Sequence, residues 1–265
     1  MFNEHTPAPS QINLIIFGAT GNLGQSLVKR GFELGYAVTA FVRNKSKLEN
    51  QFDGKLPSTL NVIEGDILNI ETVGQAIRGH GYLINTASNA TEANFFQICQ
   101  IVLSQAQKNI ETPRRVWFMG GIAALDFGAS RIMGVDCPAV PKMYQNHKRN
   151  YQALLETTNL DWSFMCPGPL VDSPNGKLTD HLRISVDEMP FQYPEWLVRL
   201  PKIALTLEII KHVSETIVSY EDIANIMLTN LESNGRYSHK RVGIALPQGM
   251  KGTKKNWLSR RRHEN

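Results

Sequence analysis

A tyrosine and a lysine four residues apart form the first pair of side chains whose types and spacing suit catalysis. Tyr144 and Lys148 stand in the stretch YQNHK, on a helix predicted over Val140 to Glu156. Residues four apart lie on one face of a helix. An ammonium group beside a phenol favours the phenolate and lowers the tyrosine pKa from its usual value of about 10. Such a phenol can give a proton to a carbonyl oxygen or take one from it.

Three glycines form the second chemical feature. Gly18, Gly21 and Gly24 are spaced as GxxGxxG, directly after a predicted strand, Leu14 to Phe17, and at the start of a predicted helix, Leu23 to Leu34. Glycines here permit a tight turn, close approach of the backbone to a pyrophosphate, and close packing of helix on strand. The helix N-terminus then favours the diphosphate. The pattern predicts a dinucleotide site, and the alternative is a glycine-rich turn without a ligand. The predicted pyrophosphate-binding residues are Gly18, Thr20, Gly21, Asn22, Leu23 and Gly24.

Cations follow the next predicted strand, Ala37 to Val42, where an NAD site normally carries an acid for the ribose 2′-hydroxyl. The sequence there reads FVRNK. The planar guanidinium of Arg43, with Lys47 on the next turn, suits the 2′-phosphate of NADP. The sequence therefore favours NADP, with NAD as the alternative cofactor. The structural alternative for both cations is a solvated turn.

Two further strand ends supply predicted contacts to the same dinucleotide. In VIEGDILN, Asp66 and the backbone of Ile67 are placed to receive the adenine amino group, and Asp66 can also cap the helix that begins near Ile70. In YLINTAS, Ala87 and Ser88 are small residues at a strand end, where close approach to a dinucleotide leaves little room for side chains.

Short apolar runs alternate with helical patterns through the first two thirds of the chain, which is the rhythm of βαβ units. Further strands are predicted at Leu60 to Glu64, Tyr82 to Thr86, Arg115 to Met119 and Asp161 to Met165. The predicted fold class is α/β, a Rossmann-type doubly wound sheet of six or seven parallel strands with a small C-terminal substrate lobe. The predicted segments are a flexible tail at 1–11, the NAD(P)-binding core at 12–166, an irregular, proline-rich lobe at 167–250 and a basic tail at 251–265.

Six stretches of the chain match a known pattern: GATGNLG, FVRNKSKL, VIEGDILN, RRVWFMGG, YQNHKRNYQALLETTNLDWSFMCPGPL and VSYEDIANIML. With them the chain resembles the atypical and extended short-chain dehydrogenase/reductase families over nearly residues 12 to 231. It is most similar to the NAD(P)-binding group of NmrA-like proteins and flavin or biliverdin reductases. The resemblance implies one of several functions, because members include quinone, flavin and enone reductases, epimerase relatives, and redox-sensing regulators that bind the cofactor without turnover.

The resemblance also implies roles for single residues. It makes Tyr144 and Lys148 the catalytic pair, with Lys148 also holding the nicotinamide ribose, and it places Pro167 and Gly168 beside the nicotinamide. The alternative is that Tyr144 only packs and Lys148 only binds cofactor.

The chain departs from the family at two positions. Met119-Gly120-Gly121 stands where related dehydrogenases end the fifth strand with a serine that hydrogen-bonds the substrate carbonyl, so no hydroxyl is available there. Cys166 stands where relatives commonly carry arginine, and it is expected to be a small core residue.

Other side chains near these motifs are expected to be structural. His147 is expected on the exposed helix surface, with a proton relay as its alternative role. Aromatic and methionine side chains of the lobe are expected to form its core, with an apolar lid over the site as the alternative. They are Met189, Phe191, Tyr193 and Trp196.

These features favour an NADPH-dependent oxidoreductase that reduces a carbonyl, quinone, flavin or similar small molecule by hydride transfer. The alternative is an NmrA-like redox sensor whose dinucleotide occupancy changes a contact with a protein partner. A sugar-nucleotide epimerase is the third possibility, and it needs a larger lobe than residues 167–250 offer.

Composition excludes several other classes. The net charge is +4, and residues 251–265 contribute +5 of it, so the remaining chain carries −1 and is not a basic nucleic-acid binder. Cys99, Cys137 and Cys166 show no metal-ligand spacing, so neither a disulfide framework nor a metal site is expected. Apolar runs are too short to span a bilayer, and the N-terminus lacks a signal-peptide pattern. A cytoplasmic protein without a membrane partner is therefore expected.

Overall fold

The computed structural model describes residues 12–52, 54 and 56–253. The predicted tail at 1–11 and residues 254–265 of the predicted basic tail lie outside the described residues. Ten strands lie within them: β1 (Asn13–Phe17), β2 (Ala37–Val42), β3 (Asn61–Glu64), β4 (Tyr82–Asn85), β5 (Arg115–Met119), β6 (Asp161–Cys166), β7 (Leu170–Val171), β8 (Arg183–Val186), β9 (Val218–Ser219) and β10 (Lys240–Ala245).

Eight of these strands form one sheet in the order β3-β2-β1-β4-β5-β6-β10-β8. The pairings from β3 through β10 are parallel, and β8 runs antiparallel to β10 at the edge. β7 and β9 form a separate parallel pair. The order reverses direction between β1 and β4, the point where open α/β sheets bind their ligands beyond the strand carboxyl ends. The predicted fold class is confirmed.

Helices cover both faces of this sheet because the central strands are apolar on both faces. In β1, Leu14 and Ile16 pack into one buried core and Ile15 and Phe17 into the other, since successive side chains of a strand point to opposite faces. Side chains of α1 (Asn22–Glu33), α2 (Lys45–Gln51) and α7 (Tyr220–Leu228) join the first core. Those of α3 (Ile70–Ile77), α4 (Phe95–Asn109), α5 (Gln145–Leu155) and α6 (Ile203–His212) join the second.

The helix that carries the tyrosine and lysine starts later than the sequence predicts. It was expected from Val140, but α5 begins at Gln145 and is preceded by a 3₁₀ turn at Lys142–Tyr144. Pro141 explains the delay, because proline disfavours helical dihedrals at the residue before it and cannot donate a backbone hydrogen bond. Tyr144 is therefore the N-cap residue of α5 and lies at the entrance to the helix.

The C-terminal segment contributes directly to the sheet. β10 lies within residues 167–250, the predicted lobe, yet it pairs in parallel with β6 and extends the core sheet. Its apolar residues Val242, Ile244 and Ala245 are fully buried. The segment thus joins the core through a strand that the sequence reading did not predict. No helix among the described residues is long and apolar enough to cross a membrane.

A capping box fixes the start of α7. The Ser219 hydroxyl accepts a hydrogen bond from the Asp222 backbone N–H at 3.0 Å, and the Asp222 carboxylate accepts one from the Ser219 N–H at 3.4 Å. The same buried carboxylate accepts bonds from the backbone and hydroxyl of Thr179, so this cap also anchors the irregular segment before β8.

We expect Ser219→Ala to lower the free energy of unfolding by about 1 kcal/mol, because one N-terminal backbone donor of α7 loses its acceptor. Urea unfolding with an unchanged m-value measures the difference. Ser233→Ala, at an exposed serine in a turn, is the matched control and should stay within about 0.5 kcal/mol of the parent. Equal midpoints for both variants would show that the cap does not stabilise α7.

Candidate active site

The glycine turn between β1 and α1 is held by contacts that exclude any larger residue. Gly18 adopts a left-handed conformation with φ +84°, and a Cβ built on it would lie 2.7 Å from the backbone nitrogen of Ala87 at the end of β4. A Cβ on Gly24 would overlap the carbonyl oxygen of Gly18. Gly21 is less confined, since its nearest neighbour would be that same oxygen at 3.3 Å. Gly18 and Gly24 therefore bring β1, α1 and the end of β4 into close contact.

The N-terminus of α1 offers its backbone donors to a ligand. Its N-cap is Gly21, which has no capping side chain, and no acidic residue lies in the first turn. The first N–H groups of a helix have no partner within the helix, and a twelve-residue helix adds a favourable dipole. This end of α1 fits a pyrophosphate. No side chain caps its first backbone N–H groups, and the Gly18 turn lets the backbone approach a phosphate closely.

Two residues that the sequence analysis missed position this turn. Gln51 of α2 donates from Nε2 to the Thr20 carbonyl oxygen at 3.0 Å. Tyr220 of α7 accepts from Asn22 Nδ2 through its hydroxyl oxygen at 3.2 Å. Each comes from a helix far from the turn in sequence, so neither was predicted to contact it, although Tyr220 lies in the matched stretch VSYEDIANIML.

Arg43 and Lys47 lie exposed at the end of β2 and on α2, and neither takes part in an ion pair within the described residues. The backbone donors of α2 are largely occupied, however. Lys45 N–H donates to Glu64 at 3.1 Å and Lys47 N–H donates to the N-cap side chain of Asn44 at 3.0 Å. An anion at this position would therefore meet mainly the cationic side chains, since two of the first N–H groups of α2 already have partners.

The predicted adenine and β4 contacts lie beside the same turn. Asp66 is exposed and accepts from Leu68 N–H at 3.0 Å. The capping role suggested for Asp66 belongs instead to Asn69, which accepts from Thr72 N–H at 3.1 Å, because Asn69 directly precedes α3. Ile67 is buried, and the adenine role of both residues stays a prediction.

At the end of β4, Ala87 packs against Gly18. Ser88 has φ +70° and its hydroxyl donates to Glu92 at 2.9 Å. The Ser88 hydroxyl is thus engaged within its own loop, while the small side chain of Ala87 permits the close approach at Gly18.

Lys148 is held by a carboxylate. Its Nζ lies 2.7 Å from Asp136 Oδ1, a partner that the sequence analysis did not identify. Asp136 comes from the irregular loop between β5 and α5, where no periodic pattern marks it. The Lys148 ammonium is therefore paired with a carboxylate, which its four-residue spacing from Tyr144 does not reveal.

His147 is buried, and the expectation of an exposed histidine was wrong. It is 6% exposed, because Phe95 at the start of α4 packs its ring edge-on against the imidazole at 5.3 Å. The ring of Tyr144 stacks on it at 5.8 Å between centroids. Burial lowers the pKa of His147 to about 4, so the imidazole is neutral at pH 7.

The glycines at the end of β5 leave no space for the missing serine. A Cβ on Gly120 would lie 2.6 Å from the ring of Phe164, and one on Gly121 would lie 2.7 Å from Nε2 of His147. Contacts this short are not tolerated without displacement of a neighbour. Because α5 and β6 pack this closely against the end of β5, residues 120 and 121 must be glycine, and the serine of the family pattern does not fit there.

Comparison with known proteins identifies the family. Residues 18–188 match the model of the NAD(P)H-binding family, and this region contains the glycine turn, the end of β2 and the tyrosine and lysine. The chain belongs to this NAD(P)H-binding family. The match confirms the family predicted from the sequence.

Relatives and solved structures agree with this assignment. The uncharacterized protein YwnB of Bacillus subtilis is 25% identical over 226 residues, covering 82% of this chain and 91% of YwnB. A Rossmann-fold NAD(P)-binding family protein from Shigella flexneri superposes with a TM-score of 0.64 at 17% identity, over 92% of this chain and 97% of that one. A short-chain dehydrogenase/reductase from Veillonella parvula, solved in complex with NADP, superposes with a TM-score of 0.61 at 17% identity, over 89% and 94% of the two chains. At these identities, the solved structures show a shared fold.

The turn after β6 is fixed by packing in this family member. Cys166 is fully buried, as expected, and burial raises the pKa of its thiol well above the usual range. Pro167 accepts from Ile122 N–H at 2.8 Å. A Cβ on Gly168 would overlap the side chain of Thr216. Gly168 is thus required for close packing, and its predicted nicotinamide contact stays a prediction.

The lobe side chains divide between core and surface. Met189 and Phe191 are buried and Tyr193 packs against the same core, as expected. Trp196 is 59% exposed, so its assignment to the lobe core was wrong. A cavity of about 210 Å³ opens beside β8, lined in part by Met189 and Phe191, and it includes none of the predicted site residues. No group of three or more potential metal ligands occurs among the described residues.

We expect Gly24→Ala to lower the free energy of unfolding by about 1–3 kcal/mol, the usual cost of overpacking, because the added methyl group overlaps the Gly18 carbonyl. Gly21→Ala is the matched control, and the less favoured N-cap alanine should cost less, about 0.5–1 kcal/mol. Urea unfolding measures both. Equal losses would contradict the close approach of α1 to the glycine turn at residue 24.

Proposed function

We propose that the protein is an NADPH-dependent oxidoreductase that reduces a carbonyl, quinone, flavin or similar conjugated small molecule by hydride transfer. The observation that carries the proposal is the uncapped, acid-free N-terminus of α1 behind the Gly18 turn. It lies where doubly wound sheets bind the dinucleotide pyrophosphate. Membership in the NAD(P)H-binding family supports the same cofactor class.

Preference for NADPH over NADH follows from the end of β2. Arg43 and Lys47 are exposed cations without ion-pair partners in the described part of the chain, and the acid that would receive a 2′-hydroxyl is absent from that position. A guanidinium can bind a phosphate with two parallel hydrogen bonds. The complex of the Veillonella parvula neighbour with NADP is consistent with this choice.

The reaction needs a hydride, which the reduced nicotinamide supplies when bound, and a proton. Tyr144 is the proposed proton donor, acting through its hydroxyl on the oxygen of the acceptor. Lys148 is proposed to bind the nicotinamide ribose through its ammonium, and Asp136 at 2.7 Å keeps that ammonium in place. Pro167 and Gly168 are proposed to line the site at the end of β6.

A second candidate is an NmrA-like sensor that binds the cofactor without turnover. Two observations favour it: Gly121 leaves no space for the usual strand-end hydroxyl, and the Lys148 ammonium is already paired with the Asp136 carboxylate. A sensor would bind NADPH tightly and change a contact with a protein partner.

One experiment separates these two functions. The purified protein is titrated with NADPH and NADH, and oxidation is followed by nicotinamide absorbance with menadione, FMN and benzaldehyde. NADPH binding with oxidation by any acceptor supports the reductase. NADPH binding without oxidation favours the sensor, and absence of NADPH binding would contradict both.

We expect Arg43→Ala to weaken NADPH binding by about 10- to 100-fold, the cost of a lost charged hydrogen bond, while NADH binding stays unchanged. Fluorescence titration of the two cofactors measures the difference. Arg78→Ala removes the same charge at an exposed residue that precedes β4, at the amino ends of the parallel strands and not at the carboxyl ends, and should change neither affinity. Equal losses of NADPH and NADH affinity would remove the 2′-phosphate role from Arg43.

We expect Tyr144→Phe to lower kcat by about 10²- to 10⁴-fold, the usual contribution of a positioned proton donor, with the NADPH dissociation constant unchanged. Tyr36→Phe is the control, because the Tyr36 hydroxyl donates to the Leu228 carbonyl oxygen at the end of α7 and to none of the predicted site residues. An unchanged kcat, with hydride transfer shown to be rate-limiting by a deuterium isotope effect, would exclude Tyr144 as the donor.

A further inference from the structure

A polar group from another element fills the space beside the end of β5 that a side chain of residue 121 would normally occupy. Gly121 has none, and a Cβ on it would lie 2.7 Å from Nε2 of His147. The imidazole, supplied by α5, therefore occupies the position that a strand-end side chain would take. Gly120 cannot substitute, because a Cβ there would lie 2.6 Å from the ring of Phe164.

His147 is buried without the partners that a structural histidine normally has. Its Nδ1 is enclosed and makes no hydrogen bond among the described residues. The contrast is with His80, which is equally buried. His80 Nε2 lies 2.9 Å from Thr39 Oγ1 and its Nδ1 lies 3.2 Å from the Arg78 carbonyl oxygen. The enclosed, unpaired nitrogen is Nδ1, and Nε2, which lies beside Gly121, has no hydrogen bond among the described residues either. No structural partner therefore accounts for either ring nitrogen of His147, although an unpaired buried polar group is costly to keep.

The surroundings keep this imidazole neutral. Its ring contacts are Phe95 and the face of Tyr144, and the ion pair of Lys148 with Asp136 is internally balanced. A neutral imidazole carries one N–H donor and one acceptor nitrogen. It can therefore donate a hydrogen bond to an uncharged oxygen without taking up or losing a proton.

We propose that His147 is the group that binds the acceptor at the end of β5, donating a hydrogen bond from Nε2–H to the oxygen that is reduced. This inference rests on the proposed function and adds to it a substrate class: an uncharged, conjugated carbonyl compound, such as a quinone. Tyr144 stacks on His147 with the ring centroids 5.8 Å apart and the rings 11° from parallel, so the two side chains are direct neighbours. His147 takes over the substrate contact of the missing serine, and Tyr144 remains the proton donor.

Three variants test this contact in the full-length enzyme. His147→Gln keeps an N–H donor near the Nε2 position, His147→Leu fills similar volume without one, and His80→Gln is the control at the other buried histidine. With menadione as acceptor, His147→Leu should lower kcat/KM by about tenfold or more, chiefly by raising KM, while NADPH affinity stays unchanged. His147→Gln should recover most of the loss, and His80→Gln should leave kcat/KM unchanged.

A second measurement uses the wild-type protein, so it depends neither on catalytic turnover nor on whether a variant folds. In wild-type protein with ¹⁵N-labelled histidine, saturated with NADP⁺, addition of menadione should shift the Nε2 resonance of His147 and leave that of His80 in place. The shift supports the proposal even where no hydride transfer is observed, in which case the reductase function fails and the binding contact stands. An unmoved His147 resonance at saturating menadione, or equal losses of kcat/KM in the Gln and Leu variants, would overturn it.

Discussion

The close approach at Gly18 is the constraint on which the site depends. The left-handed turn brings the backbone of β1 against Ala87 at the end of β4, across the point where the strand order changes direction. The same turn receives α1 so closely that residue 24 cannot carry a side chain. The N-terminus of α1 and the carboxyl ends of β2 and β4 therefore lie together at one end of the parallel strands. No side chain caps the first backbone N–H groups of α1, so these groups can bind a ligand there.

Arg241, a buried arginine of β10, connects the C-terminal part of the sheet to the loop after β5. Arg241 of β10 donates to the Asp126 carboxylate at 2.6 Å and to the Ala124 carbonyl oxygen at 2.7 Å, and its guanidinium stacks on Tyr151 of α5 at 4.3 Å. These contacts hold the loop after β5, which continues to Asp136. Removing one partner of such a pair would leave a buried charge without compensation. Thus a strand from the predicted substrate lobe also helps to position the loop that supplies the partner of Lys148.

The sequence predicts the elements of this fold well where local pattern and tertiary environment agree. β1, β2 and β5 are continuous apolar runs, as expected for strands buried on both faces, and the glycine spacing identifies the turn. α2 was missed because Leu48 is its one buried residue, so it has no apolar stripe to detect. β10 was missed because it follows an irregular segment and gains its stability from pairing with β6, far away in sequence. Asp136 and the burial of His147 depend on chain segments that meet only in the folded protein, and the polar run QNHKRN gives no sign that Phe95 covers one of its members.

The two ends of the candidate site differ in charge and therefore suit different kinds of ligand. At the end of β2, Arg43 and Lys47 are exposed and without ion-pair partners among the described residues, which favours an anionic group such as a phosphate. At the end of β5 the charges cancel: Asp136 balances Lys148, and His147 is neutral because burial lowers its pKa to about 4. The Lys148 ammonium there is already compensated, and burying an unpaired charge of a substrate beside it would be costly. If the proposed function holds, the two ends together suit a phosphorylated dinucleotide beside a neutral acceptor.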